Sequence, residues 1–254
     1  MKRYERNRIY LSENDQKKIK DYRVLLGGAG IGSNIAETLL RLGFEHLTIV
    51  DGDVVEESNL NRQNYLFSDI GRPKVEALKE RLLGINPLAK IVAIPKYIDE
   101  NNIEDIINEH DVAINALDFK SDIPFIFDNL CTEKGMYVLH PYNIGWASAV
   151  MVIAPNGQKL DSLLSENESI IGFEKKAVKH LTDYFNYWVR PKIWIEEIVQ
   201  KYEQEESLLP PPQLSIASSL AGGLCTAIIL RLVRGEFVKT FPKFYYYSDC
   251  DDLN

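Results

Sequence analysis

Arg62 and Lys74 lie twelve residues apart in a polar stretch that also holds Asn59 and Gln63, running Asn59-Leu60-Asn61-Arg62-Gln63 and then Gly71-Arg72-Pro73-Lys74. Two cations and two amides in that order suit one task. They can meet the negative charge that redistributes over phosphate oxygens when a phosphorus is attacked. The competing reading is a solvated polar loop. Upstream, Asp51 follows the β-branched run Leu47-Thr48-Ile49-Val50 and opens the turn-forming trio Asp51-Gly52-Asp53, so an acid sits at the tip of an expected strand.

Further upstream, Gly27-Gly28-Ala29-Gly30-Ile31-Gly32 joins the expected strand Val24-Leu25-Leu26 to an expected helix over 33–42. Gly28, Gly30 and Gly32 let a loop turn tightly, bring backbone N–H groups near a phosphate and aim a helix N-terminus at it. Asp51 falls nineteen residues after Gly32, the spacing at which a carboxylate meets a ribose hydroxyl. Ala29 stands where a strict dinucleotide fingerprint has its middle glycine, so a plain strand-to-helix turn is the alternative. Asp118 ends a second acid-tipped strand, expected over 111–115 and running on through Ala116-Leu117. In a parallel sheet it would come near Asp51 and could offer oxygen to a magnesium ion on phosphate; otherwise it caps the next helix. His140, at another strand end, reads as a hydrogen-bonded core residue rather than a catalyst.

The segments RVLLGGAGIGS, IVDGD, SNLNRQ, GRPK and NALD resemble the ThiF family, the ubiquitin-activating-enzyme-like adenylyltransferases. The resemblance covers most of residues 3–155 and returns weakly over 213–247. It implies ATP at the glycine turn, with Asp51 on the ribose, Asn59, Arg62, Gln63 and Lys74 on the phosphates, and Asp118 on magnesium. It also implies a reaction. A carboxylate, often the C-terminus of a ubiquitin-like or sulfur-carrier protein or of a peptide, becomes an acyl-adenylate with release of pyrophosphate. In the family an N-terminal arm supplies an arginine to the partner subunit's ATP. Arg6 and Arg8, in RYERNRIYL, are both candidates, which makes a homodimer the expected assembly; a frayed cationic terminus is the alternative.

This chain departs from the family pattern in two places. Phe119 replaces the usual asparagine after Asp118 and no arginine follows a turn later, which puts the substrate groove beside Asp118 in doubt. The family's zinc clip of paired C-x-x-C motifs and its catalytic cysteine are also missing, so this is expected to be a minimal member that stops at the adenylate. Cys131 and Cys225 fall in apolar helical patterns, and Cys250 sits among Asp249, Asp251 and Asp252, whose charge disfavours a thiolate.

Strand and helix patterns alternate from residue 24 onward, which predicts an α/β fold: a doubly wound, mainly parallel Rossmann-like sheet. Further strands are expected over 90–94, 137–140, 146–153 and 243–247, the last pair giving an antiparallel extension. Helices are expected after Ser12, from Pro73 to Gly84, and over 103–109, 122–133 and 213–234. The reading is of one domain over 1–254, with an N-terminal arm over 1–20 and a helical insert over 160–212. In that insert Phe173, Leu181, Phe185, Trp188, Trp194 and Ile198 are expected in the core, followed by an acidic run over 203–206.

A formal charge of −8 argues against a nucleic-acid surface. Three scattered cysteines form no disulfide framework, and the charged first twenty residues lack a signal peptide's apolar core, so the cytoplasm is the expected location. The apolar run over 214–233 carries Ser215, Ser218, Ser219, Thr226 and Arg231, which marks a buried or interface helix rather than a membrane span. Two other functions fit part of the pattern: an NAD-binding oxidoreductase, which leaves Arg62 and Lys74 unexplained, and a non-catalytic scaffold subunit of a heteromeric activating enzyme.

Overall fold

The structure is a computed structural model and describes residues 2–165, 168–205, 209–248 and 250. After a 3-10 turn at Lys2–Asn7, helix α1 (Glu13–Asp21) is started by Ser12, whose hydroxyl accepts from the Asp15 amide while Asp15 accepts from the Ser12 amide. That reciprocal box supplies partners for N–H groups that a helix start leaves open. Then β1 (Arg23–Gly27), α2 (Ile31–Leu42), β2 (His46–Val50), α3 (Lys74–Ile85), β3 (Lys90–Ile94), α4 (Ile103–Ile107) and β4 (Val112–Asn115) follow in alternation. The chain continues through α5 (Ile123–Glu133), β5 (Tyr137–Ile144), β6 (Ala147–Ile153), α6 (Phe173–Trp188), α7 (Ile193–Glu203), α8 (Ser215–Arg234) and β7 (Phe244–Ser248).

One seven-stranded sheet has the order β3-β2-β1-β4-β5-β6-β7, parallel from β3 to β5 and antiparallel beyond, as the sequence patterns predict. Two apolar clusters flank it. Val24 and Leu26 of β1 pack with Ile35 of α2, Leu78 of α3 and Ile228 of α8, while Leu25 packs on the opposite face with Ile106, Phe127 and Phe185. Strands buried on both faces carry continuous apolar runs, which is what β1 and β4 show.

The structure shifts three expectations. Helix α2 begins at Ile31, two residues before the expected start, because the glycine turn folds straight into it and the Ser33 hydroxyl donates to the Gly30 carbonyl at 2.7 Å. Strand β5 runs through Pro141 to Ile144. Its pairing with β4 ends at Leu139, so the missing proline N–H falls where no neighbour asks for it on that side, while β6 continues the ladder. In the insert, Phe173, Leu181 and Phe185 are buried as expected, but Trp194 and Ile198 are only half-buried and Trp188 is 71% exposed. Phe185 already packs on Phe244 and Tyr246 of β7, the last strand of the sheet, so the next turn of α6 runs past the core. Glu206, in the expected acidic run, lies outside the described residues, as do Asp249, Asp251 and Asp252.

Helix α8 is long and apolar enough to cross a membrane, yet it packs in the fold against α2, β5 and β6. Gly222 permits this. A Cβ there would stand 2.7 Å from Thr38 Oγ1 and 3.1 Å from the Asn34 carbonyl oxygen, so the backbones of α2 and α8 meet without an intervening side chain.

Candidate active site

Parallel strands β1, β2 and β4 deliver their C-terminal tips to one end of the sheet, the end at which such folds bind ligands. The glycine turn follows β1 there. Gly28 has φ +98°, and a Cβ on it would lie 2.3 Å from the Ala116 carbonyl oxygen, so both conformation and space demand glycine. Two amides of the turn are used internally: Gly28 donates to the Val50 carbonyl at 2.8 Å and Ala29 to Asp51 Oδ2 at 2.7 Å. The amides left available for an anion therefore begin at Gly30, the N-cap of α2, and continue into its first turn, where helix N–H groups lack an intrahelical acceptor.

Asp51 is more heavily engaged than its strand-tip position suggests. Its Oδ1 accepts from the Asp53 amide at 2.8 Å, so one carboxylate braces the glycine turn and the Asp51-Gly52-Asp53 turn together. Each oxygen keeps a further lone pair. Asp53 in turn accepts from Lys74 Nζ at 2.9 Å and from the Tyr97 hydroxyl at 2.7 Å. Partial burial would lift the Asp53 carboxyl, but hydrogen bonds from Tyr97 and Lys74 outweigh it and hold the group below its ordinary range. Lys74 is 7% exposed, so its ammonium is fixed at the start of α3.

Arg62 is fixed as well. Its Nε donates to Gln213 Oε1 at 2.6 Å and its Nη1 to the Ser58 carbonyl at 2.8 Å and to Asn61 Oδ1 at 2.7 Å. Asn61 also donates to the Gln213 carbonyl at 3.2 Å, so the loop is tied to the residue leading into α8. Asn59 is buried and spends its side-chain oxygen on the Glu56 amide at 3.1 Å. Gln63 differs. Its Oε1 is buried with no hydrogen-bond partner, and its Nε2 would lie 3.4 Å from a Cβ on Gly30, so an amide with unused capacity faces the glycine turn. Gly32 lies inside the first turn of α2 and packs on Leu26.

Asp118, on the loop after β4, is exposed, with Oδ2 2.7 Å from Lys120 Nζ. Lys120 also feels Asp53 and Tyr97, which places the β4 loop within electrostatic range of the Lys74–Asp53 pair. Behind this loop lies a buried polar cluster. Asp128 Oδ1 accepts from Asn115 Nδ2 and lies 2.8 Å from His140 Nε2, and Asn115 Oδ1 accepts from the Leu117 amide at 3.3 Å. His140 is thus a hydrogen-bonded core residue, as read from its position. Asp128 Oδ2 and the Tyr142 hydroxyl are buried without partners, and burial beside Asp128 and Glu174 pushes the Tyr142 phenol up. Phe119, the departure from the family pattern, is buried among Phe125, Phe173 and His140, with its amide donating to Glu174 of α6 at 3.3 Å.

The sequence reading missed Tyr97, Lys120 and Gln213. Tyr97 stands three residues past the end of β3 and Lys120 two residues past Asp118, so that proximity is the available signal. Gln213 lies 151 residues from Arg62 and carried none.

Arg6 and Arg8 are not brought to this site. Both are exposed, and the arm is docked at the far end of α2, where Tyr4 donates to the Leu40 carbonyl at 3.3 Å and Asn7 to the Leu42 carbonyl at 2.8 Å. Twelve residues of α2, about 18 Å of helix, separate that anchor from the glycine turn.

Residues 4–250 match the ThiF family. The chain belongs to that family. Among its relatives, the molybdopterin-synthase adenylyltransferase of Escherichia coli K12 is 37% identical over 145 residues, 51% of this chain and 58% of that protein. The sulfur carrier protein ThiS adenylyltransferase of Bacillus subtilis 168 is 29% identical over 159 residues, 60% of this chain and 47% of that one. The chain thus spans about half the length of the curated relatives it matches. Solved structures agree on the fold: E. coli MccB with AMPCPP and MccA has a TM-score of 0.68 at 18% identity, covering 97% of this chain and 70% of MccB. PaaA gives 0.68 at 21% identity over 94% of this chain and 73% of its own. In this ThiF-family chain Cys131 and Cys225 are buried, while Cys250 is half-buried. Burial pushes the thiols of Cys131 and Cys225 well up, and among the described residues no three His, Cys, Asp or Glu side chains cluster to hold a metal.

Proposed function

We propose that the chain is an ATP- and magnesium-dependent adenylyltransferase that activates the C-terminal carboxylate of a small protein or peptide as an acyl-adenylate. The observation carrying this reading is the convergence of two immobilised cations, Arg62 and Lys74, on the sheet end that holds the glycine turn and the start of α2. The unused Gln63 amide supports a nucleotide there, since a ribose hydroxyl, or after amide rotation a phosphate oxygen, would complete its bonding. Asp118 is an exposed carboxylate on the loop three residues past the end of β4, of the kind that holds magnesium through one or two acids plus substrate phosphates. That ion, when bound, would offset phosphate charge.

The chain's own residues then do three things. Gly30 and the first turn of α2 orient the phosphates, with Gly28 setting the turn that aims them. Asp51, having braced the turn, has lone pairs left for the ribose. Arg62 and Lys74, already held in place, meet charge as an acceptor carboxylate oxygen bonds to the α-phosphorus and the bond to the β-phosphate oxygen breaks, its electron pair leaving with pyrophosphate. No general base is needed, because a C-terminal carboxylate is ionised at neutral pH. The acceptor is a ubiquitin-like or sulfur-carrier protein, or a peptide, and the relatives' names support that class. Buried Cys131 and Cys225 thiols suit the reducing cytoplasm.

Arg62→Ala and Lys74→Ala should each lower ATP–pyrophosphate exchange, with acceptor supplied, by about 10²-fold or more while leaving the far-UV spectrum unchanged. A folded Arg62→Ala protein that exchanges at the wild-type rate would sink this mechanism.

The reading includes a homodimer in which each arm serves the other chain's site. Its support is the length of α2: an arginine side chain on the arm cannot cover about 18 Å to its own glycine turn. Arg6→Ala/Arg8→Ala and Arg62→Ala proteins should each be inactive. After subunit exchange, half the dimers are hybrids with one intact site of two, so activity should return to about a quarter of wild type. A monomer at micromolar concentration, or no recovery after demonstrated exchange, would remove the arm from the mechanism.

A further inference from the structure

Arg62, Lys74 and Lys120 stand near the strand tips and are held very differently. Lys74 has 9% side-chain exposure and is locked on Asp53. Arg62 is tied by Gln213, Ser58 and Asn61. Lys120 is 83% exposed on the loop after β4, with an ion pair of 2.7 Å to Asp118. Two cations are therefore set in place before any ligand arrives, and the third is a flexible four-carbon stem waiting on a carboxylate.

We propose that Lys120 is a catalytic residue that leaves Asp118 to contact the pyrophosphate end of the nucleotide. The proposal rests on the adenylylation reading. Asp118 cannot give its oxygen fully to a divalent cation and to an ammonium at once, because both positive charges compete for one carboxylate and repel each other. Once Asp118 turns to the metal, the nearest uncompensated negative charge is the β- and γ-phosphates, and Lys120 moves to it. A lysine fits this task better than a fixed arginine fork: it is a compact charge with rotatable donors that can follow a departing group. The fixed cations serve the bond that breaks, and Lys120 serves the product that leaves.

Isothermal calorimetry with inorganic pyrophosphate and magnesium tests this on the full chain, with AMP as the control ligand. Lys120→Ala should weaken pyrophosphate about tenfold, Lys120→Arg should recover most of that loss, and AMP affinity should be the same in all three proteins. In the exchange assay the apparent KM for pyrophosphate should rise in the Lys120→Ala protein. Wild-type exchange together with unchanged pyrophosphate affinity in Lys120→Ala would overturn the role of Lys120 alone, and so would an equal loss for AMP. A wild type that binds neither ATP nor pyrophosphate would overturn the adenylylation reading with it.

Discussion

The two walls of the site are built on opposite plans. On the β1–β2 side, Asp51 joins two turns, Asp53 joins Lys74 to Tyr97, and the Tyr97 ring lies where a Cβ on Gly52 would be, 2.6 Å away. On the β4 side, Asp118 and Lys120 hold only one another at the surface, over a buried base of Asn115, Asp128 and His140. The first wall is braced at the surface that would face the proposed nucleotide. The second is rigid one layer down and adaptable at its rim. The proposed reaction, which must hold a triphosphate still at one phosphorus and then release two phosphates, asks for that division.

Gly28→Ala should break the rigid wall most completely. The added Cβ would meet the Ala116 carbonyl at 2.3 Å on a backbone with φ +98°, so a loss of about 3 kcal/mol or more is expected, seen as a melting point lower by roughly 10 °C or as insoluble protein. Gly71→Ala is the control. It has φ +84° but nothing within 4 Å, and should cost only the backbone strain, about 1–2 kcal/mol. Equal melting points for the two variants would show that the Gly28 turn can yield.

Asp128→Ala tests the hidden base of the other wall. It would strand the buried His140 ring and remove one of the two acceptors of Asn115 Nδ2, which keeps the Pro124 carbonyl at 2.8 Å, at an expected cost of about 2 kcal/mol by urea unfolding. It should also loosen the Asn115 grip on the Leu117 amide, one residue before Asp118. A stability within 0.5 kcal/mol of wild type would mean that this cluster is not a support.

How far these walls could be read from sequence depends on separation along the chain. The glycine turn, Asp51, the Asn59-to-Gln63 loop and Lys74 fall within 48 residues, from Gly27 to Lys74, and obey spacing rules, so they were found. The bracing was not. Tyr97 meets Asp53 across 44 residues and Gln213 meets Arg62 across 151, contacts that only the strand order creates. Asp128 was hidden for another reason: in Ile123–Glu133 it looks like one polar residue on an apolar helix, and its partner His140 is on a different strand. Trp188 misled because helical spacing continues past the point where the sheet beneath it ends.

The smallest expected effect is acid sensitivity of the rigid wall. The folded Asp53 carboxyl lies below its ordinary value because Tyr97 and Lys74 bond to it more strongly than burial opposes, so its contribution is complete above about pH 4 and disappears as pH falls through the folded value. Melting points from pH 5 down to pH 2 should therefore fall slightly more steeply for wild type than for Asp53→Asn. Parallel curves would mean that the Asp53 bonds add no net stability.

The dovetail at Gly222 has a consequence beyond packing. Helices α2 and α8 run the same way, with the first turn of α2 at the glycine turn and the first turn of α8 next to Gln213, which grips Arg62. With backbones in direct contact, neither helix can slide without the other. If a nucleotide on the first turn of α2 favours the Gln213–Arg62 contact, linkage requires that any molecule favouring that contact improve nucleotide affinity by the same factor by which nucleotide improves its own.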